Sequence, residues 1–157
     1  MKYLALLLAI AMSLPFATPK ASNIPKEVRA LKISKASAQA LSRYKFDALR
    51  IEDGHILRPR EGFRILFDAK RKAFIFTTEQ DLGSSTFDGS SDIPGTNATI
   101  NCTATACKDG GYCHPSVGKG SAICVYNNCG CNTEVSYPVE EASEFQSNTG
   151  EWHPTLN

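Results

Sequence analysis

The chain has 157 residues, 42% of them hydrophobic and 21% charged, a length that sets one domain as the prior and excludes a large multidomain enzyme. Seventeen Lys plus Arg against sixteen Asp plus Glu leave a net charge of +1, so no global excess points to nucleic acid or an anionic membrane. Six cysteines and no long apolar stretch direct attention to covalent architecture.

Met1, Lys2 and Tyr3 precede a nine-residue apolar run over residues 4–12, which Ser13, Leu14, Pro15 and Phe16 interrupt. A short basic start, an apolar core of this length and a breaker before small residues form the pattern of a secretory signal peptide, taken as residues 1–21. The run is too short for a bilayer, which needs about 20 apolar residues, and no transmembrane segment is expected in the mature chain. Ala17 and Ala21 offer alternative cuts. Removing residues 1–21 takes away Lys2 and Lys20 and leaves 15 basic and 16 acidic residues, a net of −1. The expected location is extracytoplasmic, either secreted or periplasmic. There, clustered cysteines in even number read as disulfides.

Residues 22–82 hold thirteen basic and eight acidic residues, a net of +5. Residues 83–157 hold two basic and eight acidic residues, a net of −6. The first of these segments opens on a helix expectation: Asn23 as cap, Pro25 in the first turn, then Val28, Leu31, Ala38 and Leu41 at helical intervals. Ile33 falls off that stripe. Residues 48–52, the Asp53-Gly54 pair and residues 55–58 predict a hairpin with a two-residue turn, because Asp-Gly tolerates positive φ. Residues 63–67 and 73–78 predict a second hairpin around residues 68–72. The helix and this small antiparallel sheet together predict an α+β core.

Residues 83–97 are rich in Gly, Ser, Thr, Asp and Pro and are expected to be a linker. A cysteine-rich β module over residues 98–137 follows, carrying Cys102, Cys107, Cys113, Cys124, Cys129 and Cys131. So short a segment buries too little apolar surface to hold itself together, so bridges are required. Each contributes on the order of 2 to 4 kcal/mol. Val125, Tyr126, Thr133, Val135 and Tyr137 predict strands around Asn127-Asn128. Cys129 and Cys131 bridge each other only with strain, and more naturally reach different partners on neighbouring segments. Residues 138–157, with Trp152, read as a polar tail.

The run C-K-D-G-G-Y-C from Cys107 to Cys113, with Cys102 before it and Cys124 after it, resembles the front of an epidermal growth factor-like module. The resemblance implies bridges Cys102–Cys113 and Cys107–Cys124, a two-stranded core and an extracellular binding role. It ends at Cys124, where the family's single-residue gap to the next cysteine is replaced by four residues.

The three histidines, His55, His114 and His153, form no nucleophile set with a serine or cysteine. A bridge at Cys113 removes the thiolate that the adjacent His114 would activate. Ser84, Ser85, Ser90 and Ser91 lack a nucleophile-elbow context, and Glu140, Glu141 and Glu144 read as a solvated acidic cluster. Zinc binding by Cys102, Cys107, Cys129 and Cys131, with His114 as a substitute, is the alternative to bridging, but the spacing does not suit it. No cofactor or resident metal is expected. Asn97-Ala98-Thr99 and Asn101-Cys102-Thr103 match the N-glycosylation pattern for a eukaryotic source. The composite expectation is an α+β protein with an N-terminal helix and small antiparallel sheet, then a disulfide-rich β module. It is exported and non-enzymatic, binding a protein or cell-surface partner. The alternatives are an assembly-associated structural protein and a zinc or thiol protein.

Overall fold

The computed structural model describes residues 26–78, 88–146 and 150–152. The signal segment 1–21, and the capping positions Asn23 and Pro25, lie outside them.

Thirteen strands and one α-helix follow in the order β1 (Lys26–Val28), β2 (Leu31–Ile33), α1 (Lys35–Leu41), β3 (Leu49–Glu52), β4 (Ile56–Pro59), β5 (Arg64–Asp68) and β6 (Ala73–Thr77) among the described residues. The chain continues with β7 (Gly89–Asp92), β8 (Thr99–Thr105), β9 (Tyr112–Gly118), β10 (Ser121–Asn127), β11 (Gly130–Pro138), a 3-10 turn at Val139–Glu141, β12 (Ala142–Gln146) and β13 (Gly150–Trp152). An antiparallel six-stranded sheet has the order β1-β5-β6-β11-β8-β7, and an antiparallel five-stranded sheet has the order β13-β12-β2-β4-β3. The β9–β10 hairpin stands as a third sheet.

The α+β expectation is corrected: the protein is mostly β. Val28 lies on β1 opposite Ile65, and Leu31 lies on β2 opposite Leu57. Leu31 and Ile33 are buried with Lys32 half-buried between them, so Ile33, off the helical stripe, fits a strand. A short isolated helix is marginal, whereas these segments gain ladders on both edges of β2. Helix survives only at Lys35–Leu41, where the Ser34 side chain caps it by accepting from Ser37 N at 3.0 Å.

The turn at Asp53 and Gly54 has φ of 49° and 72°, as an Asp-Gly turn requires. It holds one residue more than expected: Glu52 pairs with Ile56, which leaves His55 in the loop. The second hairpin forms as β5 and β6.

One apolar core lies between the two large sheets. Ile65, Phe74, Phe76, Ile100, Val135 and Tyr137 line the six-stranded side, facing Leu31, Leu49 and Leu57 of the other sheet and Leu41 of α1. β11 sits between β6 and β8, so strands from both sides of residues 83–97 share a sheet. Residues 89–92 of that stretch are themselves a strand, and residues 138–157 contribute β12 and β13. No helix among the described residues is long and apolar enough to cross a membrane.

Candidate functional site

The β9–β10 hairpin closes through Lys119 and Gly120, with φ of 47° and 80° and Gly118 opposite Ser121. At this end the hairpin is tied to the segment after α1: Lys45 N donates to Gly120 O at 2.8 Å, and Ala122 N donates to Lys45 O at 2.9 Å. β9 also packs against β7. A Cβ on Gly89 would lie 2.6 Å from Pro115 Cδ, so glycine is what lets β9 approach.

All six cysteines are bridged, as Cys102–Cys124, Cys107–Cys129 and Cys113–Cys131. The first joins β8 to β10, the third joins β9 to β11, and the second clips the loop after β8 to the β10–β11 turn. The pairing implied by the family resemblance, Cys102–Cys113 and Cys107–Cys124, is not the one formed. Cys129 and Cys131 reach different partners. Lys108 N donates to Asn128 O at 2.9 Å beside the second bridge. Disulfides in this number are sustained by oxidising compartments. They also take up every thiol that the zinc alternative needs, and no group of three metal-ligating side chains occurs among the described residues.

Cys113, Pro115 and Val117 face inward, so Tyr112, His114 and Ser116 are turned outward on β9, opposite Asn127, Val125 and Ile123 of β10. Tyr112 is 47% exposed and Tyr126 is 63% exposed, the two exposed large hydrophobic residues among those described. The Tyr112 and His114 rings lie 5.0 Å apart. Tyr126 borders a groove of about 400 Å³ with Lys108, Asn127 and Asn128. The stapled end of the hairpin therefore presents rings and amides on a cross-linked backbone. Sequence reasoning read Tyr126 as a strand residue and Tyr112 as part of the cysteine motif, and singled out neither as a contact residue. Parity counted from Cys113 is the signal that turns Tyr112 and His114 outward.

A second cluster lies on the face of the six-stranded sheet away from the core. Glu134 of β11 is nearly fully buried and accepts two bonds from Arg71, at 2.8 and 3.2 Å. Asn101 of β8 donates to Glu134 at 2.9 Å and to Ser136 at 2.8 Å, and Ser90 donates to Asn101 Oδ1 at 2.8 Å. Burial pushes the Glu134 carboxyl above the usual range and outweighs Arg71 and Asn101, which hold it down.

The other expected residues separate. Asn101, a glycosylation candidate, is buried with its amide nitrogen already donating twice, so a glycan there does not fit the folded chain. Asn97 is exposed and donates to Glu141. His55 Nδ1 lies 2.8 Å from the Asp53 carbonyl oxygen, in its own turn. Ser91 Oγ bonds the carbonyl of Asp92, and Glu140 and Glu141 sit in the 3-10 turn while Glu144 is buried on β12. Ser84, Ser85 and His153 lie outside the described residues. Compared with models of known families, with curated proteins and with solved structures, the chain has no match in any of the three.

Proposed function

We propose that this is an exported, non-enzymatic binding protein whose disulfide-stapled β9–β10 hairpin docks on a protein partner through its stapled end, where Tyr112 and His114 stand on the outer face and Tyr126, opposite Cys113, stands on the other. The observation that carries this reading is the pairing of two exposed tyrosines with three bridges that cross-link their strands to the sheet. Tyrosine supplies a large amphipathic contact with few rotatable bonds, and a backbone already cross-linked loses little freedom on binding. The surrounding Gly110, Gly111, Ser116, Asn127 and Asn128 complete the Tyr, Ser, Gly and Asn composition favoured by binding loops. Export rests on the signal pattern of residues 1–21 and on the bridges. The non-enzymatic reading rests on the use of every cysteine in a bridge, which leaves His114 no thiolate to activate.

The test is a photo-cross-linker at Ser116, on the outer face, in the mature protein incubated with its own extracytoplasmic fraction. One discrete protein adduct is expected, and Tyr112→Ser with Tyr126→Ser should abolish it while all three bridges remain intact by mass. An adduct of equal yield in the double variant, or no discrete adduct from the parent, overturns the reading.

A further inference from the structure

A groove of about 270 Å³ opens between the segment after α1 and the β3–β4 hairpin. Three cations line it, Lys45, Arg50 and Arg60, over a floor formed by Phe46 and Leu49, with Tyr44 at the side. Among the described residues, no acidic side chain lines it. The groove lies toward the Lys119 and Gly120 end of the β9–β10 hairpin, where Lys45 is bonded, and Tyr112 and Tyr126 occupy the opposite end.

Each cation is anchored in a way that leaves its charged tip available. Arg60 N donates to Ala48 O at 3.0 Å and its Nε donates to Leu49 O at 3.1 Å, so both terminal nitrogens are unengaged. Arg50 pairs through Nε with Glu52 at 2.8 Å, and its side chain is 54% exposed. The second oxygen of Glu52 is taken by Arg58 Nε at 2.6 Å, so this carboxylate is shared between two arginines. Lys45 is held by main-chain bonds on both sides, and among the described residues no carboxylate pairs with Lys45 or Arg60. Tyr44 donates its hydroxyl to Pro94 O at 3.2 Å, which fixes its ring beside the cations.

Like charges lining one groove repel one another, and an anion bound there lowers that cost. Arginine offers paired N–H donors that match the oxygens of a tetrahedral oxyanion, and lysine adds a point charge. A tetrahedral ester, with three terminal oxygens, accepts from more of these donors than a carboxylate with two does. The apolar floor and the Tyr44 ring then suit the body that carries the ester, and the volume is that of a fragment-sized ligand. We propose that this groove binds a phosphate or sulfate monoester borne on a small planar or apolar group. The site is independent of the hairpin surface assigned to the protein partner.

Calorimetric titration of the mature protein with phenyl phosphate, phenyl sulfate and inorganic phosphate tests this, beside flotation with vesicles of anionic phospholipid. Phenyl phosphate should bind more tightly than inorganic phosphate and weaken as salt is raised. Arg60→Gln and Lys45→Gln should each reduce affinity about tenfold, the loss expected for one charge-assisted contact. Lys45→Gln removes no side-chain bond within the protein, so it reports on the groove even if Arg60→Gln perturbs folding. Lys70→Gln, on the exposed loop between β5 and β6, should leave affinity unchanged. Absence of phenyl phosphate binding at millimolar concentration overturns the proposal, as does equal weakening by Lys70→Gln. Vesicle binding without phenyl phosphate binding also overturns it, because the attraction then belongs to the whole basic face.

Discussion

Arg71 and Glu134, 63 positions apart, meet in a two-bond fork across the β5–β6 loop and β11. Arg71 comes from the basic segment and Glu134 from the acidic one, so part of the charge division along the chain is internal pairing. Asp68 completes the fork by accepting from Arg71 Nε at 2.8 Å. The Glu134 side chain is 6% exposed and that of Arg71 is 31% exposed. Glu134→Ala takes a buried carboxylate away from a partly exposed guanidinium and from the Asn101 amide, and the expected loss is about 1 to 3 kcal/mol, between the values for an exposed and a buried pair. Denaturant unfolding measures it, and a loss near zero would show that the pair does not support the fold.

The two carboxylates of this cluster should titrate with opposite effects on stability. Burial raises Glu134, and Arg71 and Asn101 only partly offset it. Its contribution is therefore present below the ordinary carboxylate pKa of about 4 and lost as pH rises through the raised value. Burial also pushes Asp68 up, but the side-chain and main-chain bonds from Arg71, with its charge, together hold it below the usual range. That contribution is present above the ordinary pKa and lost as pH falls through the lowered value. Relative to Glu134→Gln, the parent should lose ground on moving from acid toward neutrality, and relative to Asp68→Asn it should gain ground. Unfolding midpoints across that range decide this, and difference curves that are flat for both variants would contradict it.

Reductant should open the bridges in sequence. Cys107 is exposed, whereas Cys102, Cys113 and Cys124 are buried, so a small thiol reaches Cys107–Cys129 first. Partial reduction followed by alkylation and peptide mapping should label Cys107 and Cys129 ahead of the other four cysteines. Simultaneous labelling of all six would mean that opening is global. Removing the Cys102–Cys124 bridge by paired Ala substitutions frees a loop with a sequence separation of 22 and should cost about 3 kcal/mol.

Local chemistry made the hairpins legible in the sequence: Asp53 and Gly54 both take positive φ, and the β-branched and aromatic residues on either side of residues 68–72 form the paired β5 and β6. What failed depends on distant partners. Val28 and Leu31 are three apart, a helical spacing, but they belong to two short strands whose state comes from Ile65 and Leu57, which local pattern does not reveal. The Arg71 fork likewise needs β6 beside β11, an adjacency without a sequence signature. Clustered cysteines announced bridges, but which strands cross decides their partners, and six cysteines allow about 15 pairings.

Gly89 should not tolerate a side chain. Its backbone is extended and would accept Ala in isolation, but the added Cβ meets Pro115 Cδ of β9 at 2.6 Å. Gly89→Ala should therefore destabilise by about 1 to 3 kcal/mol, the range for overpacking. Pro115→Ala removes the colliding atom, so the double variant should recover part of that loss. Full additivity in the thermal melts would place the strain elsewhere.

Thr77 should be improved by losing its hydroxyl. It lies at the end of β6, opposite Arg64 of β5, and is 2% exposed, and its Oγ1 has no hydrogen-bond partner among the described residues. A buried hydroxyl without a partner has given up its bonds to water and gained none in return. Valine keeps the branched shape and the strand preference while replacing that hydroxyl with a methyl group. The general rule that Thr to Val is not a neutral exchange applies where the hydroxyl is bonded, and here it is not. Thr77→Val is expected to stabilise the protein by about 1 kcal/mol, the lower end of the penalty for an unsatisfied buried group. Thr77→Ser keeps the hydroxyl and loses the methyl, so it should destabilise. Denaturant midpoints of the two variants should move in opposite directions, and a loss of stability in both would mean that Oγ1 is bonded in solution.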